Sequence, residues 1–252
     1  MPMWDWEPDD FAALWLGDAH DRFPHPFSYT SRFPGMNEVA AHRDSVRARY
    51  DRDEAGAIHL AFHTLDTSEL RIVVLGESRT LGKGKPREYR ILAARNAFHA
   101  VMVTQTAADG VDGNIRCHRF GTDQLPSRLA RMLPPFKPGS AAPETIHIDD
   151  FRNPQPAAGF SRTPRERFQR LTSGRIDGAA GAGLFTGPLT DDPAPWFEAQ
   201  WFDIKGDGRY LKQRTREHLK VRPAGPAELT TVFESWIQTA WKRLHEDEYQ
   251  PW

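Results

Sequence analysis

The chain has 252 residues, of which 39% are hydrophobic and 27% charged, and its formal net charge at pH 7 is −1. This composition is typical of a globular protein with one large domain or two small ones, and the balanced charge argues against a dedicated nucleic-acid-binding protein. The single cysteine, Cys117, excludes an intrachain disulfide and a cysteine-built zinc site, and the lack of a long apolar run or a leader-like start predicts a cytoplasmic protein that does not enter membranes.

Helices are predicted first along the chain. Their ranges are 9–18, 36–50 and 55–66. In the first range Phe11, Leu14 and Trp15 recur at helical spacing, and Asp9 or Asp10 is positioned as the N-cap. The third range could also alternate as a strand, but we favour a helix because polar residues separate it cleanly from the next element. Three prolines between the first two ranges exclude regular structure there.

A run of short strands and then a helix follow. The strands are predicted at 70–76, 88–95, 97–106 and 115–120. A loop rich in glycine and lysine, residues 78–86, separates the first two strands. Thr122 is positioned as the N-cap of a helix that Pro134 and Pro135 end. This part of the chain is therefore predicted to be an antiparallel meander followed by a helix.

The second part of the chain repeats this arrangement after a segment rich in proline, glycine and alanine. Residues 136–160 are predicted to be a linker, with a possible strand at 145–148. A capping box of Thr163 and Glu166 then begins a short helix. Further strands are predicted at 178–187, 195–204, 209–215 and 218–223, and an amphipathic helix at 228–244.

An internal similarity connects the two parts. Residues 115–133 match 219–237 at a fixed offset, and both have the pattern of a strand, a glycine turn and a capped amphipathic helix. We therefore predict an α+β fold in which the whole chain, residues 1–252, is one domain. Its two pseudo-symmetric halves, about 1–135 and 160–252, are expected to share one sheet.

The sequence contains no complete motif for catalysis or for metal binding. His59 and His63 are four residues apart, as two metal ligands on a helix could be, but neither an acidic residue nor a third ligand accompanies them. The glycine–lysine loop has the wrong spacing for a phosphate-binding loop. An enzyme could still assemble a site from scattered residues such as His99, His118 and Asp203, but we expect no enzyme, no cofactor and no metal.

Aromatic and basic residues suggest two kinds of binding surface. The strand predicted at 195–204 places Trp201 on one face and Trp196 on the other, so one face forms a partner site unless helices cover both. Residues 162–175 and 209–222 are rich in arginine and lysine, and they favour a nucleic-acid-associated protein as the alternative function. Because the total charge is balanced, solvated strand faces are the simpler interpretation, and we expect no nucleic acid.

Seven segments along the chain carry a resemblance to a known family. They are FAALWLGDAHDRFPHPF (11–27), HLAFHTLDTSELRIVVLGE (59–77), REYRILAARNAFHAVMVTQ (87–105), LPSRLARMLPP (125–135), RFQRLTSGRIDGAAGAGLFTG (167–187), WFDIKGDGRYL (201–211) and HLKVRPAGPAELTTVF (218–233). The last two are the most specific, because they hold an Asp, a tight glycine turn, Gly-Arg-Tyr, a strand, a proline and the C-terminal helix in succession. In the order and spacing of these seven segments, the chain resembles the ESX (type VII) secretion-associated EspG family of actinobacteria.

The resemblance implies a fold and a function. The fold has two pseudo-symmetric halves that share a central antiparallel sheet, flanked by helical bundles. The function is that of a non-enzymatic cytosolic chaperone, which binds the helical tip of the PPE-type subunit in PE–PPE heterodimers for type VII secretion. A weak homodimer stays an open alternative for the protein by itself.

The resemblance also implies which residues contact the partner. The family's surface comprises the central sheet, the loop between its second and third strands, and the C-terminal helices. On this sequence the loop spans Ser78 to Arg87, with Leu81 as an apolar contact. The charged loop contacts are Arg79, Lys83, Lys85 and Arg87. The outer face of the last helix contributes Glu234, Gln238 and Lys242.

Overall fold

Ten strands of the described chain form one antiparallel sheet. The computed structural model describes residues 3–17, 20–152, 162–187, 189 and 193–246. The strands are β1 (Met3–Trp6), β2 (Leu70–Ser78), β3 (Arg87–Arg95), β4 (Ala100–Ala108), β5 (Val111–Phe120), β6 (Glu144–His147), β7 (Ile176–Thr186), β8 (Phe197–Ile204), β9 (Gly208–Arg214) and β10 (His218–Pro223). The helices are α1 (Pro8–Trp15), α2 (Met36–Arg47), α3 (Arg52–Asp66), α4 (Leu125–Met132), α5 (Asp149–Arg152), α6 (Pro164–Thr172) and α7 (Pro226–Glu246), with a 3₁₀ turn at Thr122–Gln124.

The order of the strands shows two similar halves joined at the centre of the sheet. From edge to edge the order is β1-β5-β4-β3-β2-β7-β8-β9-β10-β6, and every neighbouring pair is antiparallel. In each half an outer strand comes first in the chain, helices follow, and four strands then run from the centre of the sheet towards that outer strand. A helix, α4 or α7, ends each half. This arrangement confirms the predicted α+β fold with two pseudo-symmetric halves.

The sequence predicts only one of the two edge strands. β6 confirms the possible strand at 145–148 within the predicted linker, and it pairs with β10 from His218↔His147 to Val221↔Glu144. The sequence pattern does not predict β1, because four residues are too few for a periodic signal, although Trp4 and Trp6 alternate towards the interior and are buried. Residues 153–160 of the predicted linker lie outside the described residues.

The helix boundaries follow the predicted ranges closely, but two predicted N-caps are wrong. Thr122 is not an N-cap, because it lies within the 3₁₀ turn that follows Gly121, and α4 itself follows Gln124. α3 confirms that the ambiguous range at 55–66 is a helix. The capping box of α6 is confirmed, because the Glu166 amide donates to Thr163 Oγ1 at 3.2 Å and the Thr163 amide donates to Glu166 Oε2 at 2.8 Å. The predicted N-cap of α1 is wrong. α1 follows Glu7 and has Pro8 in its first turn, where the missing N–H of proline loses no helical hydrogen bond.

Helices cover the two faces of the sheet unequally. The front face, which carries Ile72, Val74 and Trp201, packs against α4 and the apolar stripe of α7. The back face carries Val73 and Phe202. Over the first half α1 and α3 cover it, with α2 packed on α1, and over the second half side chains of α5 and α6 cover it. None of the helices in the described ranges is long and apolar enough to cross a membrane. The α7 stripe confirms the amphipathic pattern seen in the sequence.

The buried thiol of Cys117 gives a direct test of this packing. Cys117 lies on β5 and is fully buried, and burial raises the pKa of its thiol to about 12. At pH 8 the thiol is therefore protonated as well as shielded, and we expect a thiol reagent to modify it about 1,000-fold more slowly in native buffer than in concentrated urea. The measurement is the rate of colour release from a disulfide reagent. Rapid stoichiometric modification of the native protein would contradict the packing of β5.

Candidate interaction surface

A strip of the back face lies uncovered between the two helical layers. Its residues, called here the open strip, come from β2, β7 and β8 and are Leu75, Glu77, Ala179, Gly181, Glu198 and Gln200. All except the half-buried Gly181 are exposed, and Leu75 is 44% exposed. Strand alternation explains the strip, since the neighbours of these residues along each strand point to the front face and are covered there. Helices thus cover the face of β8 that carries Trp201, whereas the opposite face is buried at Phe202 and exposed at Glu198 and Gln200.

The floor of the open strip is flat because β7 contributes small residues. A Cβ atom added to Gly181 would meet only Ala199 O at 3.8 Å and Gln200 Cγ at 3.9 Å within 4 Å. By contrast, a Cβ on Gly178 would lie 2.0 Å from Glu77 O, so that glycine is required by the close approach of β2 and β7. Gly181 is therefore not needed for packing among the described residues, and the space above it is free.

The loop between β2 and β3, residues 79–86, lies at one end of the open strip. Lys83, Lys85 and Arg87 are exposed, as a partner contact requires. Leu81 is half-buried and packs against the front-face core, so its side chain contributes to folding as well as to any contact. Arg79 is also half-buried. Arg87 is the first residue of β3 and shares the front face with Tyr89, so Lys83 and Lys85 are the cations of the loop itself that are most available to a partner.

The predicted contacts on the last helix lie on a different side of the molecule. Glu234, Gln238 and Lys242 are exposed on the outer face of α7, and Lys242 Nζ lies 3.2 Å from Glu246 Oε1. Because α7 covers the front face, these three side chains point away from the sheet, whereas the open strip is on the back. The structure does not bring the helix residues and the open strip together.

A buried ion pair lies beneath the end of the sheet next to the loop. Arg209 Nε donates to Asp203 Oδ1 at 2.7 Å, Nη2 donates to Asp203 Oδ2 at 2.9 Å, and both side chains are almost completely buried. Nη2 also donates to the carbonyl oxygen of Pro134 at 2.8 Å. Burial raises the pKa of Asp203 above its ordinary value despite Arg209, and the nearby Asp177 adds to the increase. This cluster of charges stabilises the fold only while it stays paired.

The basic stretches do not form one continuous cationic surface. Arg209 is buried in the ion pair described above, and Arg167 pairs with Glu144. In β9 the side chain of Lys212 points to the back face, whereas in β10 Lys220 points to the front. Strand alternation thus divides the cations of 209–222 between two faces, which weakens the nucleic-acid alternative.

The scattered polar residues considered for catalysis are not brought together. Asp203 is occupied by Arg209, and His118 lies on β5, five strands from β8, or about 24 Å at the usual strand spacing. His59 and His63 are exposed on α3 and line a cavity of about 230 Å³. Among the described residues, no group of three or more His, Cys, Asp or Glu side chains is arranged to hold a metal ion.

Comparison with known proteins supports the family resemblance. The model of the EspG family matches residues 7–234. The solved structure of the Mycobacterium tuberculosis type VII secretion system chaperone EspG5, in complex with the PE25–PPE41 dimer, is 14% identical, with 96% of each chain covered and a TM-score of 0.57, which shows the fold. The structure of HtdX from Mycobacterium tuberculosis is also 14% identical and covers 89% of this chain and 100% of its own, but its TM-score of 0.17 supports no structural conclusion. No curated protein sequence matches. Because the family model spans nearly the whole chain, the chain belongs to the EspG family.

Proposed function

We propose that this protein is a non-enzymatic chaperone of type VII secretion that binds the PPE-type subunit of a PE–PPE heterodimer in the cytosol. Membership of the EspG family supports this function, and the solved EspG5 structure with the same fold holds a PE25–PPE41 dimer. The observation that carries the proposal is the open strip, an uncovered surface at the centre of the sheet. The lone buried thiol suits a reducing compartment.

The dimensions of the open strip suit a helical tip. Its width from β2 to β8 is two strand spacings, or about 10 Å, close to the diameter of one helix with its side chains. Leu75 and Ala179 offer apolar contact, while Glu77, Glu198 and Gln200 offer polar contact. A mixed interface of this kind supports specific but reversible binding, which a chaperone that releases its cargo needs.

The loop cations determine how the partner approaches. Lys83 and Lys85 are exposed in the loop at one end of the open strip, so a partner with acidic side chains near its tip is attracted and oriented before contact. Glu234, Gln238 and Lys242 are on the opposite side of the sheet, and the proposal assigns them no contact with the same helical tip.

Reversing two loop charges is expected to slow association. In Lys83→Glu/Lys85→Glu, the rate constant for binding a PE–PPE heterodimer should fall by roughly tenfold at low salt, with a smaller decrease at high salt. The melting temperature should change little, because both side chains are exposed. Surface plasmon resonance at two ionic strengths is the measurement. The matched control is Arg22→Glu/Arg52→Glu, which reverses two exposed charges in the N-terminal layer and should bind at the wild-type rate.

Capture of a partner from native lysate tests the function itself. The tagged wild-type chain is expected to recover one PE-type and one PPE-type protein in equal amounts with itself, as measured by quantitative mass spectrometry. The recovered heterodimer is then purified as the binding probe for every variant. Recovery of a folded bait with neither protein would overturn the proposed function.

A further inference from the structure

The loop at residues 79–86 has a fixed shape, which its own backbone only partly explains. The Gly84 amide donates to Arg79 O at 2.7 Å, and the Lys85 amide donates to Gly82 O at 3.1 Å. Lys83 and Gly84 have positive φ angles of 53° and 102°, so the tip turns through the left-handed region. These bonds close the tip on itself, but they do not fix its direction relative to the sheet.

Asp177 supplies the missing attachment between the loop and the sheet. Its carboxylate accepts hydrogen bonds from Ser78 Oγ at 3.0 Å, from the Thr80 amide at 3.1 Å and from Thr80 Oγ1 at 2.9 Å. Its backbone oxygen accepts from the Arg79 amide at 3.0 Å. Asp177, which is only 6% exposed, therefore holds three consecutive residues at the base of the loop, two through its side chain and one through its backbone oxygen.

The position of Asp177 follows from an irregularity in β7. Ile176 pairs with Ile204 and Gly178 pairs with Asp203, so Asp177 is the extra residue of a β-bulge. A bulge turns the extra side chain out of the regular alternation, here towards β2 and the loop. Gly178 permits this geometry, because any Cβ atom there would collide with Glu77 O.

We infer that Asp177 is a positioning residue for partner binding: it holds loop 79–86 so that Lys83 and Lys85 face an acidic partner surface at the end of the open strip. The inference rests on the proposed function, because it assigns Asp177 an effect on binding without any contact with the partner. Preorganisation of this kind increases the association rate, since the loop need not be ordered during the encounter.

Two substitutions of Asp177 separate positioning from charge. Asp177→Ala removes all three side-chain bonds. Asp177→Asn keeps the shape, because its oxygen accepts from Ser78 and the Thr80 amide, and its NH₂ group donates to the Thr80 hydroxyl. We expect association with the captured PE–PPE heterodimer to slow about tenfold in the alanine variant and less than about threefold in the asparagine variant.

Amide hydrogen exchange gives the readout that a merely structural role would not produce. In Asp177→Ala, exchange in peptides covering 78–86 should accelerate by about tenfold, while exchange in β4 and β9 stays at the wild-type rate. Asp9→Ala is the matched control. Asp9 is 7% exposed and accepts from Tyr29 Oη at 2.9 Å and Ser31 Oγ at 3.2 Å, but it holds a loop in the N-terminal layer. The Asp9→Ala variant should leave both the amide exchange of residues 78–86 and the association rate unchanged.

Three outcomes would count against the inference in distinguishable ways. Wild-type association in Asp177→Ala despite accelerated loop exchange would show that the loop's order does not matter for binding. Accelerated exchange throughout β2 and β7 would show a general loss of stability instead of positioning. Failure of the wild-type chain to bind any PE–PPE heterodimer would instead overturn the proposed function, and the inference about binding with it.

Discussion

Replacing Arg209 by methionine should lower the free energy of unfolding by about 3–5 kcal/mol, because it leaves Asp203 as an unpaired buried carboxylate next to Asp177. The guanidinium also lies between the rings of Phe136 and Trp201, 5.7 and 5.8 Å from their centroids, so its removal loses further contacts. Urea unfolding monitored by tryptophan fluorescence is the measurement. Lys212→Met on the same strand is the control, and it should lower the free energy of unfolding by less than about 1 kcal/mol.

Two further measurements test whether the unpaired charge causes this loss of stability. The double variant Asp203→Asn/Arg209→Met, which contains neither charge, should recover a large part of the lost stability. The pKa of Asp203 is already raised, and removal of Arg209 should raise it further. A carboxyl group that binds its proton more tightly in the folded state stabilises the fold increasingly as the pH falls through its folded pKa. The stability of Arg209→Met should therefore approach that of the wild type as the pH is lowered from neutrality towards the ordinary pKa of an aspartate. The role of the buried charge would be contradicted if the loss of unfolding free energy in Arg209→Met did not depend on pH, or if it were below about 1 kcal/mol.

The second large effect is expected at the open strip. Gly181→Trp should weaken binding of the PE–PPE heterodimer by at least about 100-fold, because the indole ring occupies the space that the helical tip requires. The fold should persist, since the Cβ position is free and an aromatic residue suits a strand better than glycine does. Isothermal titration calorimetry gives the affinity, and the melting temperature verifies folding.

The same substitution at a distant glycine provides the control. Gly56 is exposed on α3, and a Cβ atom there would meet no other atom within 4 Å. Gly56→Trp should therefore bind as the wild type does. If Gly181→Trp also bound with wild-type affinity, the open strip would not be the surface for the helical tip, and the binding site would have to be sought elsewhere on the chain.

The local elements of the fold were accessible from the sequence because each depends on nearby residues. The spacing of Leu229, Phe233 and Trp236 predicts α7 and its buried stripe, and the chemistry of Thr163 and Glu166 predicts the start of α6. The similarity between 115–133 and 219–237 predicts the pseudo-symmetric halves, since both ranges repeat the strand-to-helix pattern that ends each half.

The candidate site was accessible only in part. The exposed loop cations follow from a polar, glycine-rich segment between two strands. The packing of Leu81 against the front-face core could not be predicted in this way, because it depends on how the loop is oriented relative to the sheet. Neither Asp177 nor Gly181 stands out in the sequence as a functional residue. The run of glycine and alanine at 178–183 was the available signal for the flat floor, and it indicates only that side chains are small.

By itself, the sequence determined most of the strands and helices, their faces and the family, because periodicity, caps and turns act over a few residues and because family patterns persist in order and spacing. It did not determine β1 or α5, which are four residues long each. The tertiary structure decided which face of the sheet stays open and what holds the loop. The bond from Ser78 to Asp177 joins residues 99 positions apart, and the open strip exists only because three strands from two halves meet between two helical layers. Such contacts depend on chain topology, which brings together residues that are distant in the sequence, and no local sequence pattern predicts them.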